Sequence, residues 1–145
     1  MTSRERIIKA INHIETDELP VDFGATSATG INVSTIYRLY PLLGLSERKP
    51  VVSDAMQLLS KFEDDVRKAL LTDVIPLPSP KTKVGTRVTN KYQDFNLPDG
   101  TPALIDESIK YDIDEKGNYY LYPKGDRSLP CSMMMPNSGG LFFDA

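Results

Sequence analysis

Apolar residues recur at helical spacing in the first half of the chain and in short strand-like runs in the second half. A helix is predicted over residues 3–13, opened by a capping box in which Thr2 and Glu5 satisfy the free N–H groups of the first turn. Its buried stripe is expected to consist of three isoleucines, Ile7, Ile11 and Ile14.

Three further elements are expected before residue 80. Ser34 is a candidate N-cap for a second helix that stops at Gly44, and Pro41 should kink or shorten that helix. A third helical region is predicted over residues 54–71, with a break near Phe62. The run 72–77 is predicted to be one buried strand, because it is short, β-branched and bounded by a polar pair and a proline.

Two β-hairpins are predicted after residue 80. Residues 92–97 should pair with 102–106 around a turn in which Pro98 presets φ and Gly100 takes the left-handed position. By the same logic, residues 109–113 should pair with 119–122.

Short segments elsewhere complete the expected organisation. Residues 20–23 resemble a short strand, residues 130–140 a loop, and residues 141–143 a second strand-like run that meets Ala145 without a cap or polar tail. We therefore expect a single incomplete domain over 1–145, with helices and one buried strand in 1–80 and a hairpin-rich segment in 81–145.

Composition and charge favour an ordinary folded chain. The 145 residues are 40% hydrophobic and 26% charged, with a net charge of −3 and mixed signs along the sequence. We expect no nucleic-acid partner, since no basic block is present. No apolar run approaches the length of a membrane span, so we expect no membrane segment and a cytoplasmic location.

Candidate metal ligands and nucleophiles are few. His13 is the only histidine and Cys131 the only cysteine, so the chain cannot assemble a zinc site from three or four nitrogen and sulfur ligands. Neither residue has a suitable partner close to it in sequence. We assign no catalytic residue, no metal ligand and no bound cofactor to this chain.

The loop between the strand-like run 20–23 and the second helix is the most suggestive local feature. Its small residues leave N–H groups and hydroxyls free to face a ligand, although a plain strand-to-helix connection also explains them. The candidate ligand-binding residues are Asp22, Gly24, Thr26, Ser27 and Thr29.

The order of these segments resembles the N-terminal part of the uroporphyrinogen decarboxylase superfamily. The resemblance spans essentially the whole chain and rests on "SRERIIKAINHIETDELPVDFG", the Gly44-Leu45 helix end, the buried strand, and "YYLYPKGDRS" followed by "MPNSGGLFFDA". It is nearest to the branch related to corrinoid-dependent methyltransferases.

This resemblance implies an α/β fold, a (β/α)8 or TIM barrel, of which the chain would hold one strand, Val74–Leu77, with the hairpins as an insertion. Methyltransferases of this family use zinc held by His and Cys residues of the later barrel. Decarboxylases use an arginine-containing segment after the first Pro-Val and an aspartate near the end of the first barrel strand. Here the residues after Pro20-Val21 contain no arginine, and 76–80 contain no aspartate.

Three functional hypotheses are compatible with these features. In the first, the intact protein transfers a methyl group between a corrinoid and a thiol, with a corrinoid protein or a small molecule as partner. The second hypothesis is uroporphyrinogen decarboxylation, a step of porphyrin biosynthesis. In the third, the chain is a non-catalytic binding or assembly module that self-associates through the edge of the 74–77 strand. The chain alone is expected to be inactive in each case.

Overall fold

A computed structural model describes residues 1–144 of the chain. Its three α-helices are α1 (Ser3–Ile11), α2 (Val33–Leu42) and α3 (Asp64–Ala69). Its seven strands are β1 (Val52–Asp54), β2 (Leu59–Ser60), β3 (Tyr92–Asn96), β4 (Pro102–Asp106), β5 (Tyr111–Ile113), β6 (Tyr119–Leu121) and β7 (Met133–Met135). A short 3-10 helix covers Pro123–Gly125.

The strands form three small antiparallel sheets: β1–β2, β3–β4 and β5–β6–β7. The first two sheets meet at an isolated parallel bridge between Val51 and Leu104, where the Leu104 N–H donates to the Pro50 carbonyl at 2.9 Å. That bridge is the only parallel pairing within residues 1–144. The described residues therefore form an α+β arrangement that does not itself contain a barrel.

Both predicted hairpins are confirmed. β3 pairs with β4 from Tyr92 opposite Asp106 to Asn96 opposite Pro102. Gly100 has φ +82° in the connecting turn, and the Asp99 carboxylate accepts from the Thr101 N–H at 2.9 Å. β5 pairs with β6 in the second hairpin. Local turn chemistry sets the register in both cases.

The main core lies among the sheets. Phe95 makes edge-to-face contacts with Tyr111 and Tyr119, at centroid distances of 5.2 and 5.6 Å. Val33 and Val52 belong to the same buried cluster. The core therefore joins the expected 1–80 and 81–145 parts. A second cluster of four buried residues lies between α2 and α3 and consists of Ile36, Tyr40, Phe62 and Val66.

The second helix forms as expected, except for its cap. Asn32, rather than Ser34, occupies the N-cap position, and its Oδ1 accepts from the Ser34 N–H at 2.9 Å. Pro41 lies in the last turn. The helix closes at Gly44, which has φ +68°, while the Leu45 N–H donates to the Tyr40 carbonyl at 2.9 Å.

The helix predicted over residues 54–71 is wrong in its first half, because β1, a turn and β2 occupy residues 52–60. The Asp54 carboxylate accepts from the Met56 and Gln57 N–H groups at 2.9 and 3.2 Å, and Leu58 has φ +52°. These local bonds compete with a helix for the same backbone groups. Only Asp64–Ala69 is helical.

The predicted strand over residues 72–77, which includes the expected barrel strand Val74–Leu77, is absent, and so is the short strand at 20–23. The two segments touch through one backbone bond, from the Asp73 N–H to the Val21 carbonyl at 2.8 Å. Pro76, Pro78 and Pro80 lack the N–H that a ladder needs.

The buried stripe predicted for the first helix is also wrong, since α1 contains no buried residue. Ile11 is 71% exposed and Ile14 54% exposed. The capping box at Thr2 and Glu5 is confirmed. The helix ends at Ile11, two residues before the predicted end, because His13 has φ +57° and the Ile14 N–H turns back to the Lys9 carbonyl at 2.9 Å.

The last segment differs from expectation in both its parts. Met133–Met135, predicted to be a loop, forms β7 and pairs with β6. Residues 141–143, predicted to be strand-like, lie outside any strand, although Asp144 bridges to Met134 through two backbone bonds of 2.8 Å. Burial of Met135 in the sheet core stabilises this third strand.

Matched leucine truncations test this description of the core. Leu121 is 1% exposed on β6, whereas Leu77 is 92% exposed. We expect Leu121→Ala to lower the free energy of unfolding by about 2–5 kcal/mol through lost contacts and a cavity. Leu77→Ala should change it by less than about 0.5 kcal/mol. Urea denaturation followed by circular dichroism measures both, and equal effects would contradict the assignment of the core.

Candidate functional site

The predicted ligand-binding loop runs from Asp22 to Gly30 and leads into α2. Phe23 packs edge-to-face on Phe62, with ring centroids 5.5 Å apart. Gly24 has φ +89°, and a Cβ added there would lie 2.5 Å from the Phe62 ring. Only glycine fits this position, so Gly24 serves a close packing contact with the α2–α3 cluster.

The polar side chains of the loop bond mainly to one another. Thr29 donates from its hydroxyl to Asp22 Oδ1 at 3.1 Å, and the Thr26 N–H donates to the Thr29 hydroxyl at 3.2 Å. The Gly24 N–H donates to the Thr29 carbonyl at 2.9 Å. These bonds fold the loop into a closed turn and use the groups expected to face a ligand.

Three of the five candidate residues, Asp22, Thr26 and Ser27, are exposed to solvent. Ser27 is exposed, and no side-chain hydrogen bond involving it is formed within residues 1–144. Thr26 is also exposed, although its hydroxyl lies 3.2 Å from that of Thr29. The structure thus brings the five predicted residues together, with Ser27 as the one free hydroxyl. This arrangement offers hydroxyl and N–H groups for hydrogen bonding beside the Asp22 carboxylate.

An ionic cluster beside the loop holds the segment that precedes the loop. Asp73 is nearly buried, accepts from the Val21 N–H at 3.0 Å and pairs with Arg6 of α1. Arg6 also donates from Nε to Asp17 at 2.9 Å. The chain's N-terminal ammonium lies 2.8 Å from the same Asp17 carboxylate. One carboxylate, that of Asp73, therefore connects α1, the segment before the loop and the segment after α3.

The pKa values in this cluster favour the charged forms. Burial raises the pKa of Asp73, but hydrogen bonds from the Val21 N–H, Ser3 and Arg6 together outweigh burial and hold the pKa below its usual value of 3.8. The hydrogen bond from Arg6 lowers the pKa of Asp17 strongly. Both carboxylates are therefore ionised at neutral pH and can pair with Arg6.

A cavity of about 410 Å³ lies at the start of α2, immediately after the loop. Asn32 stands at its edge and donates from Nδ2 to the Leu141 carbonyl at 3.0 Å, which joins α2 to the end of the chain. Sequence reasoning missed Asn32, because its contact spans more than a hundred residues. The cavity is lined by Asn32, Ser34, Thr35, Gln57, Leu59, Leu141 and Phe142.

The residues present do not fit a zinc site. His13 and Cys131 are both exposed, and residues 1–144 contain no group of three His, Cys, Asp or Glu side chains that could hold a metal ion. Within the same residues, no helix has both the length and the apolar character needed to cross a bilayer.

The segment after α3 exposes its apolar side chains. Leu71, Ile75 and Leu77 are all largely exposed, whereas Asp73 between them is nearly buried. Large apolar side chains are usually buried against neighbouring elements. The run therefore forms an uncovered apolar edge next to the candidate loop.

Comparisons with known protein families, curated proteins and solved structures gave no match to this chain.

Removing the Asp73 charge tests the ionic cluster. Because its pKa is lowered, Asp73 stabilises the fold fully above its usual value of 3.8, and this contribution is lost as pH falls through the lowered pKa. We expect Asp73→Asn to lower the urea midpoint at pH 7, and the difference from wild type to shrink below about pH 3.8.

Asp94→Asn provides the control, because Asp94 pairs with Lys49 at 2.6 Å on the open surface, where ion pairs contribute little. A difference in urea midpoint between wild type and Asp73→Asn that stays constant from about pH 7 to about pH 2.5 would contradict the ionic role of Asp73.

Proposed function

We propose that this chain is the N-terminal part of a uroporphyrinogen decarboxylase superfamily enzyme, whose intact form transfers a methyl group between a corrinoid and a thiol. The observation that carries the proposal is the uncovered apolar run at residues 71–77, anchored by Asp73. The family resemblance of the sequence supplies the class of reaction. We place the enzyme in the cytoplasm.

The run at residues 71–77 exposes Ile75 and Leu77 and makes no ladder within residues 1–144. A strand of a closed barrel needs a partner on each side, and parallel barrel strands are buried by both the barrel interior and the outer helices. In the proposal, further strands of a longer polypeptide cover this run.

The surroundings of the candidate loop favour methyl transfer over porphyrinogen decarboxylation. A polycarboxylate substrate needs free cations, and bidentate arginine serves this purpose best. Arg6, which reaches the segment before the loop through Asp73, already pairs with Asp17 and Asp73. Arg48 pairs with Glu63 and Asp65. The loop itself contributes hydroxyls, N–H groups and the Asp22 carboxylate, and it contains no cation.

In this proposal, the zinc ligands lie outside the 145 residues of this sequence. The chain's own histidine and cysteine do not form a ligand set, so we assign no catalytic step to them. This chain contributes the loop at residues 22–30, which positions a polar ligand through Ser27 and the closed Asp22–Thr29 turn. A corrinoid protein or a small molecule is the proposed partner.

The same uncovered run favours a second candidate function, a non-catalytic assembly module that associates through residues 74–77. The two candidates differ in the reading frame that each requires beyond residue 145. An enzyme requires a frame that continues with a His and Cys ligand set, whereas an assembly module does not.

The test uses the protein encoded by the complete reading frame. We expect it to bind zinc and to demethylate methylcobalamin in the presence of a small thiol, followed by the absorbance change of the corrinoid. Ser27→Ala should raise KM several-fold, by about 1 kcal/mol of lost binding, with little effect on kcat. Ser46→Ala, which removes another exposed hydroxyl, provides the matched control.

Release of carbon dioxide from uroporphyrinogen without methyl transfer would establish the decarboxylase hypothesis instead. A reading frame without thiol and imidazole ligands would overturn the methyltransferase proposal, and equal effects of Ser27→Ala and Ser46→Ala would remove the loop from the ligand site.

A further inference from the structure

A small hairpin at residues 80–88 carries two cations side by side on its exposed side. Backbone hydrogen bonds of 3.1 Å between residues 88 and 80 and of 2.8 Å between residues 82 and 86 flank Lys81 and Arg87, which lie opposite each other. In an antiparallel pair, this is the position at which facing side chains approach most closely, with about 5 Å between their Cβ atoms. Both side chains are exposed, so two positive charges project together into solvent.

Two further lysines lie at the closed end of the hairpin. Lys83 is exposed in the turn, which closes through Gly85 with φ +87°. The Lys124 N–H donates to the Val84 carbonyl at 2.9 Å, and Lys124 Cγ lies 3.5 Å from the position that a Cβ on Gly85 would occupy. The basic cluster is defined as the four side chains that meet here: Lys81, Lys83, Arg87 and Lys124.

No carboxylate pairs with the basic cluster. None of its side chains forms an ion pair within residues 1–144, and the sequence from 74 to 93 contains no Asp or Glu. The carboxylate of Asp126, two residues after Lys124, accepts from the N–H and the hydroxyl of Ser128. Like charges at facing strand positions repel each other, so a bound anion would remove an unfavourable interaction.

The inner side of the hairpin holds the backbone from which these cations project. Val84 is buried in the main core. The Thr86 hydroxyl lies 2.7 Å from that of Thr82 and 2.9 Å from that of Ser108. The Ser108 N–H donates in turn to the buried Asp106 carboxylate at 3.0 Å. Since the backbone is already fixed, an anion that binds to the basic cluster orders only the cationic side chains.

We propose that the basic cluster binds the diphosphate group of a small soluble molecule. Arg87 supplies a planar fork that matches two oxygens of one phosphate, and the third oxygen is left for Lys81 beside it. A carboxylate has only two oxygens, which the fork alone would take up. Lys83 and Lys124, at the tip of the hairpin, bind the second phosphate. The cluster shares no residue with the loop at 22–30, so this inference does not depend on the proposed enzymatic function.

Long anionic polymers match the basic cluster less well than a compact anion does. The chain carries a net charge of −3, so a polymer would meet repulsion beyond the cluster. Lys81 and Lys83 span only about 7 Å along the strand, whereas a single DNA-binding module buries about 600 Å² or more. Residues 80–88 contain no aromatic ring on which a base could stack.

Isothermal titration calorimetry of the 145-residue chain with inorganic diphosphate, in a low-salt buffer without phosphate, tests the proposal. We expect saturable binding that weakens as salt is added, because exposed charges are screened. Arg87→Gln and Lys81→Gln should each weaken binding about tenfold. Arg4→Gln and Lys116→Gln remove exposed cations elsewhere, provide the matched controls, and should leave binding unchanged.

The urea midpoint gives a second measure of the same binding. Diphosphate should raise the midpoint of the wild type, because it binds the folded chain, and should not raise that of Lys81→Glu. This variant should keep the wild-type circular dichroism spectrum, since position 81 is exposed and the substitution replaces a repulsive pair with an attractive one.

Failure of the wild type to bind diphosphate at low salt would overturn the proposal, as would equal weakening by Arg87→Gln and Arg4→Gln. Malonate, which carries two carboxylates in place of the two phosphates, should bind more weakly, and an equal affinity would overturn the assignment to phosphate. Tighter binding of a single-stranded oligonucleotide, or of vesicles that contain phosphatidylglycerol, would overturn the assignment to a small soluble molecule.

Discussion

The ion pair between Arg6 and Asp73 joins parts of the chain that lie outside the two buried apolar clusters. α1 has no buried residue, and the run after α3 exposes its large side chains. Asp73 connects these two segments to the residues before the candidate loop, through Arg6 and the Val21 N–H. The position of the loop relative to α1 therefore depends on one nearly buried carboxylate.

The remainder of the fold is held in a different way. Phe95, Ile105 and Leu121 lie in a continuous apolar core between the sheets, and a smaller core that contains Ile36 and Tyr40 lies between α2 and α3. The described chain thus combines a well-packed β unit with two segments, α1 and the run at residues 71–77, that expose apolar side chains. This contrast supports the proposed function, in which further chain would cover the run at 71–77.

Local chemistry accounts for the elements that could be predicted from the sequence. The hairpin around Gly100 and the end of α2 at Gly44 each depend on a turn residue within a few positions. The strand predicted at 72–77 failed because a strand requires a ladder partner, which no local pattern reveals. The helix predicted over residues 54–71 failed in its first half because Asp54 captures the N–H groups of the two residues that follow Ala55.

In the candidate site too, local features could be predicted from the sequence, whereas contacts between distant residues could not. Its place between Val21 and α2 could be predicted from the small residues and the helix start. The bond between Thr29 and Asp22, and the contact of Gly24 with Phe62, require the folded chain to bring these groups together. Asp73 and Asn32 were missed because their partners are distant in sequence: Arg6 and Val21 for Asp73, Leu141 for Asn32.

The central claim is that the Arg6–Asp73 ion pair, rather than a buried core, holds α1 in place. Native-state hydrogen exchange tests this claim most directly. We predict that the α1 amides exchange by local opening, at a free energy well below that of the Ala103 and Ile105 amides of β4. In Asp73→Asn, α1 protection should fall further while β4 protection is unchanged. Protection of α1 equal to that of β4 would contradict the account.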